Sequence, residues 1–176
     1  MNDLEDRIKS AIADIPDFPE EGILFRDITP LLHDHGLYHE VIDHWAQRYR
    51  NHDIDYVAGI ESRGFIFGAA LAFHMGVSLA LIRKPGKLPR ETHTVEYELE
   101  YGTDTLEIHR DALEPGASVV VIDDLLATGG TASAGCTLVE RCGAEVAELT
   151  FLLELAGLEG RTKLPDWDIH SLAIYE

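Results

Sequence analysis

Asp123 and Asp124 follow the apolar run "SVVVI" and stand just upstream of the loop Thr128-Gly129-Gly130-Thr131. The pairing is unusual, because a loop suited to an anion has two negative charges beside it. Strand, acidic pair, Gly-rich loop and helix follow in that order. This order places the loop at the carboxyl end of a sheet strand, where open α/β folds bind ligands. Backbone amides from Ala127 to Thr131 can point at phosphate oxygens, helped by the N-terminus of the helix that follows. The loop lacks the lysine of a P-loop and the spacing of a dinucleotide fingerprint. Taken alone it fits either a phosphate site or an ordinary turn.

Two further groups bear on the same chemistry. "ESRG", Glu61 to Gly64, follows the apolar stretch "YVAGI" and so also falls at the carboxyl edge of the sheet. Arg83, Lys84, Lys87 and Arg90 lie within eight positions that contain no acid, although the chain as a whole has 14 basic and 32 acidic side chains. A basic patch concentrated in so acidic a chain is expected to meet an anionic ligand. The formal charge of −18 argues against non-specific binding to nucleic acid or to an anionic membrane, since both need positive surface. Scarce lysine and abundant acid fit a high-salt cytoplasm, where self-repulsion is screened, and fit an ordinary acidic enzyme equally well.

The elements that must position these residues read as one α/β domain over 1–176. Leu4, Ile8, Ala11, Ile12 and Ile15 predict a helix over 3–15, capped by Asn2 or Asp3 and ended by Pro16 and Pro19. A second helix is expected over 37–50. Strands are predicted at 56–60, 77–83, 118–123, 145–155 and 170–176, with helices at 64–76 and 131–143. Continuous apolar strands alternating with helices indicate a mainly parallel sheet covered on both faces. Residues 84–110 break the rhythm. Their polar alternation predicts a two-stranded ribbon projecting from the sheet, of the kind that serves as a lid. Cys136 and Cys142 are read as reduced thiols, and "MNDLEDRIKS" is not expected to be a secretion signal. No stretch approaches the roughly 20 apolar residues that span a bilayer. His33, His35 and His39 lie close together without zinc-site spacing, so no structural metal is expected there.

"VVVIDDLLATGGT" resembles the phosphoribosyl pyrophosphate (PRPP) motif of the type I phosphoribosyltransferases. "FPEEGILFRDITPLL", "GIESRGFIFGAALA", "LIRKPGKLPRET" and "YELEYGTDTLEIHRDALEPG" extend the resemblance, in order, to the adenine-using branch of that family. Glu61 departs from it, standing where the family often has Asp. The resemblance implies the type I phosphoribosyltransferase fold, with an N-terminal hood (1–36), a central sheet and a lid (84–110). The implied reaction joins adenine and PRPP to give AMP and pyrophosphate with Mg²⁺, in a cytoplasmic homodimer. Ala127, Thr128, Gly129, Gly130 and Thr131 would hold the 5-phosphate. Asp123 and Asp124 would face the ribose hydroxyls, directly or through metal-bound water, and stabilise positive charge developing on the sugar.

Pyrophosphate would fall to Glu61, Ser62 and Arg63, with a cis Glu61–Ser62 peptide, and to Arg83, Lys84 and Lys87, joined by Arg90. Glu100 would manage the proton exchanged at the base, and Tyr101 of the lid would approach the phosphate side. Without the resemblance Glu100 reads as a solvated ribbon residue. Phe25 would stack on adenine, while the Leu24 and Arg26 backbone and the strand end at Leu155 would read its edge. Phe25 also fits a simple core role. Mg²⁺ would be held through PRPP and waters near Asp123 and Asp124, without direct protein ligands.

Overall fold

Along Ser118–Leu126 (β7) successive side chains enter two different cores. Val120 and Ile122 pack with one set of helices, and Val119 and Val121 with another. That alternation is what a strand buried on both faces requires. In this computed structural model residues 3–98 and 102–176 are described. β7 is central to a five-stranded sheet, in the order β4-β3-β7-β8-β9. Its other members are Tyr56–Ile60 (β3), Ser78–Ile82 (β4), Glu145–Leu155 (β8) and Ile169–Tyr175 (β9). All four pairings are parallel. The expected mainly parallel α/β sheet with flanking helices is therefore present.

One face carries the helices Asp3–Ala11 (α1), Thr29–His33 (α2), His35–Tyr49 (α3) and Gly64–Met75 (α4), whose Ile8, Leu31, Trp45, Phe67 and Leu71 are fully buried. The Asp34 carboxylate caps α3 by accepting from the amides of Gly36 and Leu37 at 3.0 and 3.1 Å. The other face carries Gly130–Arg141 (α5) and a ribbon of Thr92–Glu98 (β5) and Thr103–His109 (β6).

The structure corrects the reading of the sequence in three places. The first helix stops at Ala11. Ala13–Pro16 (β1) pairs antiparallel with Leu24–Asp27 (β2), and Ile15 lies exposed on that hairpin. β7 continues beyond Asp123 to Leu126, so the acidic pair sits inside the strand and not at its end. The ribbon does not simply project. Leu106 and Ile108 of β6 are fully buried, and Glu107 exchanges backbone hydrogen bonds with Arg83 at 2.8 and 2.7 Å. Its base is therefore part of the core.

Candidate active site

β3, β7 and the loops after them converge on a cavity of about 510 Å³ at the carboxyl edge of the sheet. α4 can approach this edge closely because it starts with glycine. A Cβ on Gly64 would lie 2.8 Å from the Ile122 carbonyl oxygen and 2.9 Å from Asp123 Oδ1. The cavity gathers Glu61, Ser62 and Arg63 from one side and Asp123, Asp124, Ala127, Thr128, Gly129 and Thr131 from the other, with Lys84 at its rim. Gly130 begins α5 just behind them. The Glu61–Ser62 peptide is cis, as the resemblance implies.

The acids are unlike. Asp124 is buried and accepts from Arg63 Nε at 2.5 Å. Asp123 accepts from the Asp124 amide at 2.8 Å and makes no comparable ion pair among the described residues. Burial, and then repulsion from Asp124, raise its pKa well above the ordinary carboxylate value. A polyanion entering this space meets Arg63 and Lys84 along one part of the lining, and two carboxylates followed by the loop amides along the other. Such a site can hold phosphates at its ends and a hydroxylated, transiently cationic group between them.

The other expected residues are distributed unevenly. Arg83 turns to Glu61, with Nε 3.3 Å from the carboxylate, and stands over the Phe65 ring. Arg90 pairs with Asp111. Neither these two nor Lys87 lines the cavity. Phe25 of β2 meets Phe18 edge-on at 5.1 Å and lies 5.3 Å from the Arg63 guanidinium. Arg26 pairs with Asp14 and covers the Tyr175 ring, and Leu24 is exposed. Leu155 ends β8 opposite Tyr175. Glu100 and Tyr101 lie outside the described residues.

Sequence reasoning missed Tyr97, Asp104 and Phe151, which also line the cavity. It also missed Gly160, which backs the 127–131 loop. Asp104 had left a usable sign. It occupies the inward face of β6 with Leu106 and Ile108, where a charge is costly unless something uses it.

The chain belongs to the phosphoribosyltransferase family: the family model for the phosphoribosyl transferase domain matches residues 30–173. It is 58% identical to the adenine phosphoribosyltransferase of Chloroflexus aurantiacus over 94% of this chain and 95% of that relative. It is 56% identical to that of Acaryochloris marina, over 96% and 99%. The crystal structure of adenine phosphoribosyltransferase from Thermoanaerobacter pseudethanolicus superposes with a TM-score of 0.94 at 51% identity, covering 97% of this chain and 99% of that one. The Saccharomyces cerevisiae enzyme, complexed with adenine and an imino-altritol bisphosphate, gives a TM-score of 0.91 at 42% identity over 96% and 98%.

Proposed function

We propose that the protein transfers the 5-phosphoribosyl group of PRPP to adenine, giving AMP and pyrophosphate. The observation that carries this reading is the single cavity joining Asp123 and Asp124, the amides of 127–131 and the Glu61–Arg63 turn, in a chain whose relatives are adenine phosphoribosyltransferases. The loop amides with Thr128 and Thr131 take the 5-phosphate, and the carboxylates take the ribose. Arg63 leaves Asp124 for the pyrophosphate, where Ser62 and Lys84 join it, and Arg83 and Lys87 add positive potential nearby. The bond from adenine N9 to ribose C1 forms as the bond from C1 to the pyrophosphate oxygen breaks. The N9 proton leaves the base, a task we assign to Glu100. Asp123, half-buried in the cavity wall, would stabilise positive charge on the ribose. Phe25 stacks on the base, and the backbone of Leu24 and Arg26 selects adenine by its exocyclic amine.

The donor set suits Mg²⁺, which is commonly held by one or two carboxylates plus substrate phosphates. Asp123 and Asp124 would hold the ion through its waters, and a cation there would offset the burial and the repulsion from Asp124 that raise the Asp123 pKa. Bound with PRPP, the ion would offset the charge of the departing pyrophosphate.

Ile66 and Phe73 on α4 and Leu79 and Leu81 on the edge strand β4 are exposed large apolar residues, and Phe73 is 90% exposed. We assign this face to a homodimer contact. Buried, unpaired Cys136 and Cys142 fit a cytoplasmic home. The decisive assay supplies PRPP, Mg²⁺ and each of five purine bases. Adenine should release pyrophosphate fastest, and a faster rate with hypoxanthine or guanine would overturn the choice of base. AMP should also raise the melting temperature more than IMP or GMP at equal concentration.

A further inference from the structure

We propose that Asp104 is an internal stand-in for the donor's pyrophosphate: it holds Lys84 at the cavity rim when no ligand is bound and surrenders it when the donor arrives. The proposal rests on the reading above, in which Lys84 meets the pyrophosphate, and gives a role to a residue that reading leaves idle.

The geometry is specific. Asp104 stands opposite Tyr97 in the ribbon register, on the face that also presents the buried Leu106. Lys84 Nζ lies 2.6 Å from Asp104 Oδ2. The Tyr97 hydroxyl donates to the same oxygen at 3.4 Å, and the Thr131 hydroxyl donates to the Tyr97 oxygen at 3.4 Å. Asp104 Oδ1 accepts from the Thr105 amide at 2.8 Å, which fixes the carboxylate. One acid therefore ties the segment after β4 to the ribbon and, through Tyr97, to the phosphate loop. Lys84, Tyr97, Asp104 and Thr131 all line the cavity.

The charges favour exchange over permanence. The hydrogen bond with Asp104 raises the Lys84 pKa, and the same bond lowers that of Asp104, so each keeps the other ionised. The pair is nonetheless partly open to solvent, with side-chain exposures of 52% for Lys84 and 22% for Asp104, and such pairs are weak. A pyrophosphate brings more charge and more acceptor oxygens than one carboxylate, so it takes Lys84 from Asp104. Asp104 is then left facing another anion. The acid aims the cation beforehand and afterwards limits how tightly pyrophosphate stays.

The test compares full-length wild type with Asp104→Asn, which retains the size and hydrogen-bonding capacity of the side chain without its charge. Binding of inorganic pyrophosphate with Mg²⁺, followed by calorimetry, should tighten about fivefold, the scale of losing an exposed ion-pair competitor. KM for PRPP should fall with it while KM for adenine is unchanged, a split that a general loosening of the ribbon would not produce. Asp104→Ser should act in the same direction, so the result does not depend on one variant folding. In a Lys84→Met background the gain from Asp104→Asn should shrink. Unchanged or weaker pyrophosphate binding in both Asp104 variants, or an equal gain without Lys84, would overturn the stand-in. Wild-type protein that binds pyrophosphate but leaves adenine unreacted would count against the proposed transfer alone, and the pyrophosphate comparison would still decide the role of Asp104.

Discussion

Gly129 and Gly160 meet backbone to backbone: a Cβ on Gly129 would lie 2.3 Å from the Gly160 carbonyl oxygen, and one on Gly160 would lie 2.2 Å from that of Ala127. Gly129 also has a φ of +81°, a conformation that favours glycine. The 127–131 loop, to which we assign the 5-phosphate, is thus shaped from behind by a short segment 31 residues downstream. Arg161 clamps that segment by donating to both oxygens of the buried Glu154 at 2.7 Å.

Replacing Gly160 by Ala must therefore push the phosphate loop forward. Overpacking of this kind costs about 1–3 kcal/mol. We expect a lower melting temperature and a rise in KM for PRPP that exceeds any rise for adenine. Steady-state kinetics with each substrate varied in turn checks this, and equal changes in both constants would detach Gly160 from the phosphate loop.

Asp123 sets function against stability. Its folded pKa is raised by burial and by Asp124, so the folded state binds its proton more tightly than the unfolded chain does. Its contribution is favourable below the unfolded carboxylate pKa and is lost as pH rises through the folded value. Asp123→Asn should thus gain stability over wild type as pH rises, while turnover falls at least about tenfold because the ribose loses a stabilising charge. Urea unfolding at a series of pH values reads the first effect. A stability difference that stays constant between pH 4 and 8 would refute it.

Far from the cavity, Glu148 is buried between Arg48, which donates from Nε at 2.7 Å and Nη2 at 2.5 Å, and the Tyr49 hydroxyl at 2.7 Å. Burial alone would raise the Glu148 pKa, but these bonds outweigh it and the net shift is downward. Glu148→Ala should cost about 1–3 kcal/mol, because the buried Tyr49 hydroxyl loses its acceptor while the partly exposed Arg48 turns to water, with unchanged KM values. Chemical denaturation together with kinetics would test both parts.

His170, stacked on His44 at 6.0 Å, is pushed down to about 4, chiefly by burial. A depressed folded value means that its share of stability is present above about 6.5 and is lost as pH falls toward 4. His170→Asn should flatten the acid limb of the stability curve in that window. Melting temperatures taken between pH 4 and 7 would show the change, and an unaltered slope would remove His170 as its source.

The charge of −18 should make the fold depend on salt. Screening shortens from roughly 10 Å at 0.1 M to 3 Å at 1 M, which relieves repulsion among exposed acids. We expect the melting temperature to climb through this range of KCl. A flat or falling curve would argue against a high-salt habitat.

Much of this was legible in the chain. β3 and β8 occupy the spans their apolar runs suggested, and the ribbon follows its alternation, because burial on a given face imposes residue type directly. Ala13–Pro16 was misread because four residues satisfy helical and extended periods alike. Its partner strand, Leu24–Asp27, decides between them. Tyr97 was passed over because its partners appear only when the register sets it opposite Asp104, whose own place among inward-facing apolar residues was the one sign within reach.

Sequence by itself determined the sheet-forming strands, the acidic pair, the Gly-rich loop and the resemblance that links them, since each is written in contiguous residues. Tertiary structure decided that Arg63 rests on Asp124, that Lys84 rests on Asp104, and that Gly160 shapes a loop it does not adjoin. Those relations join residues from 20 to 61 positions apart. Contacts between such distant positions arise only when packing closes the chain on itself, and no local pattern encodes them.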